Sequence, residues 1–210
     1  MNKVLVLFSG GIDSTAASSY YLLKGYKVEL VTFDNGASKN FALSEYKAEL
    51  IKQKFSEQCN WQLLSSNALF HEVAIKNLEQ DVKKYGNLVC CGCKLAMLAE
   101  AIIYCKKNGI KIIADGYEKG QMYYPEQTPE YIKMVNSFSK RYNITNEHPL
   151  YEMSSEEIRD LTRKANIPPQ PLQAGCLFAF NRVKNKNIKK YMQSKLSIVH
   201  RYIGKERIWL

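Results

Sequence analysis

Near its start the chain runs Val4-Leu5-Val6-Leu7-Phe8-Ser9-Gly10-Gly11-Ile12-Asp13-Ser14-Thr15. Val4 to Phe8 is an unbroken apolar run, the pattern of a strand buried on both faces of a parallel sheet. Ser9-Gly10-Gly11 ends it, and Asp13 to Lys24 reads as a helix stopped by Gly25. Two glycines allow a tight turn and close approach of an anion to the backbone. The helix that follows aims free N–H groups and the positive end of its dipole at that anion. Ser9, Ser14 and Thr15 add hydroxyl donors. The stretch lacks the later Gly-Lys-Ser/Thr of a Walker loop and the Gly-x-Gly-x-x-Gly of a dinucleotide fold.

Strands and helices alternate outward from this point. Lys27 to Phe33, Trp61 to Leu64 and Ile110 to Ala114 read as strands, and His148-Pro149-Leu150 as an extended segment. Phe41 to Phe55, Glu72 to Lys84, Lys94 to Asn108 and Thr128 to Tyr142 read as helices. Ser154 to Glu157 fits a capping box that opens another helix, running to Ala165. Alternation of this kind predicts an α/β fold, a parallel sheet flanked by helices. No repeat or low-complexity linker divides it. The expected organisation is one domain over 1–180, followed by a helical, basic C-terminal extension over 181–210.

Composition bounds the class. The 210 residues are 46% apolar and 24% charged, which argues against a disordered or collagen-like chain. Six cysteines are too sparse for a disulfide scaffold. No apolar run approaches the length of a membrane span, so a cytoplasmic protein with reduced thiols is expected. The formal charge of +10 is concentrated at the end. Residues 181–210 hold nine Lys and Arg against one acid, a net +8. Such a segment is an electrostatic footprint for a polyanion or a solvated helix face.

Ser9 to Thr15 closely resembles the Ser-Gly-Gly-x-Asp-Ser motif of the PP-loop ATP pyrophosphatases, whose fold is Rossmann-like and of the adenine nucleotide alpha hydrolase kind. The resemblance implies ATP with Mg²⁺, with the pyrophosphate held by Ser9, Gly10, Gly11, Ile12, Asp13, Ser14 and Thr15. It further implies that Phe33 and Asp34, at the end of the second strand, receive the adenine and ribose, and that Gly116 borders the same crevice. Asp115-Gly116-Tyr117-Glu118, then Tyr124-Pro125-Glu126, then His148-Pro149-Leu150 resemble the 7-cyano-7-deazaguanine synthase branch. That branch carries four zinc-binding cysteines near its C-terminus. Here the region after Gly175 offers only Cys176.

Cys90-x-x-Cys93 together with Cys176 instead resembles the PP-loop tRNA sulfur-transferases. There such a triad is catalytic, either holding a [4Fe–4S] cluster with one iron left open or forming a persulfide and a disulfide. A thiol beside a helix N-terminus is expected to have a lowered pKa. A zinc site that recruits Cys91 and a merely structural role are the other readings. Cys59 and Cys105 read as small core residues, and the three histidines as mostly structural. The function implied is adenylation of a carbonyl oxygen with release of pyrophosphate, followed by replacement with sulfur. A tRNA base is the expected substrate, a small heterocycle or a carboxylate the other possibilities, with the sulfur donor undefined and a homodimer open. An ammonia-using amide or nitrile synthase and a non-catalytic nucleotide-binding regulator are the alternatives.

Overall fold

The computed structural model describes residues 2–178 and 187–206. Five parallel strands form the sheet: β1 (Lys3–Leu7), β2 (Lys27–Asp34), β4 (Cys59–Ser65), β5 (Ile112–Ala114) and β6 (Thr145–Glu147). Their order is β4-β2-β1-β5-β6. The chain therefore leaves β1 toward one edge, then returns to build the other. β1 and β5 flank the point where the direction reverses, and crevices for ligands open at the carboxyl ends of strands there. The α/β parallel-sheet expectation holds.

Alternation along β1 divides the core. Val4 and Val6 face α1 (Ile12–Leu23) and α7 (Ser155–Lys164), in a cluster with Ala16, Ala17, Tyr21 and Ile158. Leu5 faces the other layer, built on α5 (Val89–Lys107), α6 (Pro129–Lys140) and α8 (Ile188–Glu206). α2 (Ala42–Lys52) packs behind β4, and a two-stranded antiparallel ribbon joins β3 (Ser38–Lys39) to β7 (Gly175–Cys176).

Three expectations need correction. Glu72 to Lys84 is not one helix. A short helix α3 (Asn67–Phe70) continues into a π-helical turn at His71–Ile75, and α4 (Leu78–Tyr85) starts afresh after Asn77 leaves helical geometry. The extended segment His148-Pro149-Leu150 is a turn, and the strand lies just before it at Thr145–Glu147. The helix expected from Lys94 begins five residues earlier at Val89, so the Cys-x-x-Cys lies inside its first turns rather than before it.

α8 is packed, not merely solvated. Ile188, Tyr191, Met192, Val199 and Ile203 sit in the core shared with α5. Lys195 on the same stripe is buried and paired with Asp81. Lys189, Lys190, Arg201 and Lys205 remain exposed. Gly92 makes this approach feasible, because a Cβ there would stand 2.5 Å from Tyr191 Oη and 2.9 Å from Ala74 Cβ. Among the described residues no single helix is long and apolar enough to cross a membrane.

Burying five such side chains is worth on the order of 10 kcal/mol as an upper estimate. That is comparable to the whole stability of a domain. Truncation before Asn187 is therefore expected to abolish cooperative unfolding, read by circular dichroism on heating. A truncated chain melting within about 3 °C of the full one, the shift that 1 kcal/mol produces at this size, would refute this.

Candidate active site

The loop after β1 is shaped by hydroxyls and by one glycine in a left-handed conformation. Gly10 has φ +80°, a conformation costly for other residues. Ser9 N donates to Ser14 Oγ (3.3 Å), and Ser14 Oγ donates to Gly11 O (3.3 Å). Ser44 Oγ on α2 donates to Ser9 O at 2.6 Å. A proline-rich strap from α7 crosses above: Leu172 N donates to Gly10 O at 2.9 Å. A Cβ on Gly10 would stand 2.0 Å from Leu172 O, so only glycine fits under the strap. Buried Lys47 fixes the strap by donating to the carbonyls of Pro168 and Gln170. Burial pulls its pKa down.

Gly116, two residues past β5, lies against this loop. A Cβ there would meet the Asp13 carbonyl carbon at 2.6 Å and Ser14 N at 2.8 Å. Asp115 beside it is held from behind. Both its oxygens lie 2.9 Å from His148 Nδ1, His148 Nε2 lies 3.0 Å from Asn136 Oδ1, and Tyr117 stacks on the imidazole. A second network joins the loop to the segment after β5. Gln121 Nε2 donates to Asp13 Oδ2 (3.1 Å) and to Glu118 Oε1 (2.9 Å), and Gln127 Nε2 donates to Gln121 Oε1 (3.0 Å). Burial, then the hydrogen bond and charge of Asp13, push the Glu118 carboxyl up to about 7.

These elements enclose a cavity of about 320 Å³. Ser9, Asp13, Ser14, Phe33 and Gly116 line it, as do Cys90, Cys93 and Cys176. Gly10, Gly11 and Ile12 shape the loop from outside the lining. Thr15 is buried, its Oγ1 without a hydrogen-bond partner among the described residues. Asp34 turns its carboxylate to Gly36 N (2.7 Å), and Asn35 takes the place beside the cavity.

The triad is assembled from two directions. Cys90 and Cys93, three residues apart on α5, share a helix face. Cys176 arrives on β7, paired with Ser38 of β3. Asn35 Nδ2 donates to Cys93 Sγ at 3.2 Å, while its Oδ1 accepts from Ala37 N (2.9 Å) and Ser38 N (3.0 Å). Cys90 Sγ lies 3.7 Å from Phe178 O. The expectation of a lowered thiol pKa fails for Cys93. Burial pushes it up to about 11, outweighing the Asn35 hydrogen bond.

Cys91 is fully buried and faces the core. The zinc reading therefore loses its fourth ligand. Among the described residues no three His, Cys, Asp or Glu side chains gather closely enough for one metal ion. Cys90, Cys93 and Cys176 match a [4Fe–4S] group in donor type and number, as three thiols lining one cavity, although among the described residues they do not gather around one point. Cys59 and Cys105 are buried core residues, as expected. Asn35, the Asp115–His148 pair and the Glu118 network were not read from the sequence. Their partners lie far apart in the chain, and no local motif marks them.

A strand, a glycine-bent loop and a helix at the switch point of a parallel sheet define a PP-loop enzyme, a class that uses ATP with Mg²⁺. Within that class the chain belongs to the family described as queuosine biosynthesis protein QueC, whose model matches residues 3–177. It is 28% identical over 191 residues to 7-cyano-7-deazaguanine synthase of Pyrococcus abyssi (strain GE5 / Orsay), covering 79% of this chain and 77% of that protein. It is 26% identical over 206 residues to a probable tRNA sulfurtransferase of Streptococcus uberis (strain ATCC BAA-854 / 0140J). That match covers 90% of this chain but only 46% of the relative's length. Among solved structures, a 4-thiouridine synthetase–RNA complex with bound ATP shares the fold, with TM-score 0.67 and 22% identity. The superposition covers 96% of this chain and 53% of that one.

The carboxyl pair gives a pH signature. The native state keeps a proton on Glu118 that the unfolded chain releases near its ordinary value of 4.5. The native state thus binds more protons between about 4.5 and about 7, and stability falls as pH rises through that window. Glu118→Gln is expected to remove this slope in melting temperature against pH. Parallel profiles for the two proteins would refute the pairing.

Proposed function

We propose that the chain is an ATP-dependent sulfur-transferase that adenylates a carbonyl oxygen, releases pyrophosphate and replaces the oxygen with sulfur. The supporting observation is that Cys90, Cys93 and Cys176 line the same cavity as Ser9, Asp13 and Ser14. The loop and the N-terminus of α1 are suited to hold pyrophosphate, and Asp13 is the carboxylate that would hold the cation. Cys90, Cys93 and Cys176 are the residues that would hold a [4Fe–4S] cluster, which would supply the sulfur chemistry. Asn35 orients Cys93, and His148 keeps Asp115 fixed at the cavity edge. The substrate in this reading is a tRNA base in the cytoplasm. It is favoured by the net +8 of residues 181–210 and the exposed lysines of α8. A second reading, an ammonia-using amide or nitrile synthase, is favoured by the family match over residues 3–177.

Asp13→Ala and Ser14→Ala are each expected to lower pyrophosphate release at least 10²-fold, roughly the loss of one essential electrostatic interaction, with the fold kept as read by circular dichroism. Cys90→Ser, Cys93→Ser and Cys176→Ser are each expected to remove the thiolated product while ATP binding survives. Cys59→Ala is expected to leave it. Anaerobic purification with an iron count and a visible spectrum reads the cluster. Retained turnover in all three serine variants would favour the ammonia-using synthase.

The exposed basic face is tested separately, with the packed stripe of α8 left intact. Lys189→Gln, Lys190→Gln, Arg201→Gln and Lys205→Gln together are expected to weaken tRNA binding. They should also flatten its salt dependence, by about 0.9 in log–log slope for each phosphate that is no longer neutralised. An unchanged slope would return these residues to a solubilising role.

A further inference from the structure

The strap that crosses the glycine loop hangs on a few polar attachments. It runs from Ile167, buried among the residues of α1 and α7, to Cys176 on β7. Pro168, Pro169, Gln170, Pro171 and Gln173 are exposed, and Leu172 is half-buried. Three prolines remove N–H donors and stiffen the segment, so it moves as a unit. Its inward carbonyls, Pro168 O and Gln170 O, accept from Lys47 Nζ of α2. Leu172 N donates to Gly10 O of the loop at 2.9 Å. The same face of α2 grips the loop itself, because Ser44, one turn before Lys47, donates to Ser9 O at 2.6 Å. Gly10 is enclosed between the two, since an added Cβ would stand 2.0 Å from Leu172 O and 3.0 Å from Ser44 Cα. Gln173 lies over the second glycine, its Oε1 2.4 Å from where a Cβ on Gly11 would stand.

Lys47 is 1% exposed. Burying an ammonium costs free energy that two carbonyl hydrogen bonds return only in part, and an apolar side chain would fill the same space without that cost. The cost falls where strap, loop and α2 meet. A segment with so little buried apolar surface opens readily once its polar attachments break. Cys176 is four residues beyond Leu172, so with Leu172 pinned it can stray at most about 14 Å from that anchor. With Leu172 released, the free chain starts at Ile167 and reaches about 30 Å. We propose that Lys47 is a positioning residue whose ammonium clamps the strap onto the glycine loop, so that a loop ordered by pyrophosphate holds Cys176 in the cavity and an empty loop lets it leave. The use made of Cys176 rests on the sulfur-transfer reading. A ligand that orders the loop removes part of the entropy lost when the strap docks, and by linkage the docked strap raises the affinity of the loop for that ligand. Sulfur chemistry is thus confined to an enzyme that already holds its nucleotide.

The test uses the full chain, with inorganic pyrophosphate and Mg²⁺ as the probe, small enough to occupy the loop without filling the cavity. Labelling of Cys176 by iodoacetamide is followed on its tryptic peptide by mass spectrometry. In the wild type, saturating pyrophosphate is expected to slow labelling about 10-fold, within the usual range of coupling between two sites. Lys47→Met keeps the apolar stem and removes the donors. It is expected to label at the fast rate with or without pyrophosphate. Its affinity for pyrophosphate should be lower by the same factor, because an undocked strap lends the loop none of that coupling. Simple covering of the thiol by the probe, or a merely structural lysine, would leave the protection intact in the variant.

Equal labelling rates with and without pyrophosphate in the wild type overturn the proposal, and so does protection that survives in Lys47→Met. Should that variant fail to fold, hydrogen exchange in the wild type decides. Pyrophosphate is expected to slow the Leu172 amide, which donates to Gly10 O, together with the Leu177 amide, which donates to Ala37 O. Unchanged exchange at either amide overturns the clamp. Thiolated product from a Cys176→Ser protein, with the clamp behaving as expected, overturns the sulfur-transfer reading and leaves Lys47 as the latch of a nucleotide-gated strap.

Discussion

Backbone meets backbone at the centre of this molecule with no side chain between. Gly116 lays the chain just past β5 on the Asp13–Ser14 peptide, and Gly10 lays the loop against Leu172 O of the strap. A single methyl group at either place would collide with main-chain atoms, which cannot swing aside as a side-chain tip can. The cavity exists because three segments distant in sequence close to this distance at the switch point of the sheet. The phosphate loop, the Asp115 carboxylate and the route that delivers Cys176 all take their positions from that closure.

Burial then governs the chemistry of what is gathered there. An exposed thiol at the start of a helix is easily ionised. Cys93 is enclosed, so desolvation outweighs the Asn35 hydrogen bond and holds it as a thiol. Glu118 shows the same rule in a carboxyl, where burial first, and then the hydrogen bond and charge of Asp13, favour the protonated form. A cation entering between Asp13 and Glu118 would reverse that balance.

What was legible in the sequence was whatever is contiguous. Val4 to Thr15 holds its strand, turn and helix N-terminus in twelve consecutive residues, and the fold and the glycine loop follow from them. The start of α5 was not legible, because Leu88 makes no side-chain cap and the apolar pattern runs straight through the cysteines. The buried stripe of α8 was masked by lysines, although Ile188, Tyr191, Met192, Lys195, Val199 and Ile203 recur at helical spacing and that period was the available signal. Asn35 with Cys93, and His148 with Asp115, are separated by 58 and 33 residues. Only the folded sheet edge brings such pairs together.

Gly92 ties two distant stretches of chain together. Its missing side chain is the space into which Tyr191 of α8 reaches, between the two cysteines of α5. A Cβ added there would force the tyrosine ring or Ala74 to give way. The turns of α5 that carry the Cys-x-x-Cys and the C-terminal helix are thus keyed to each other like tenon and mortise, even though nearly a hundred residues of sequence lie between them.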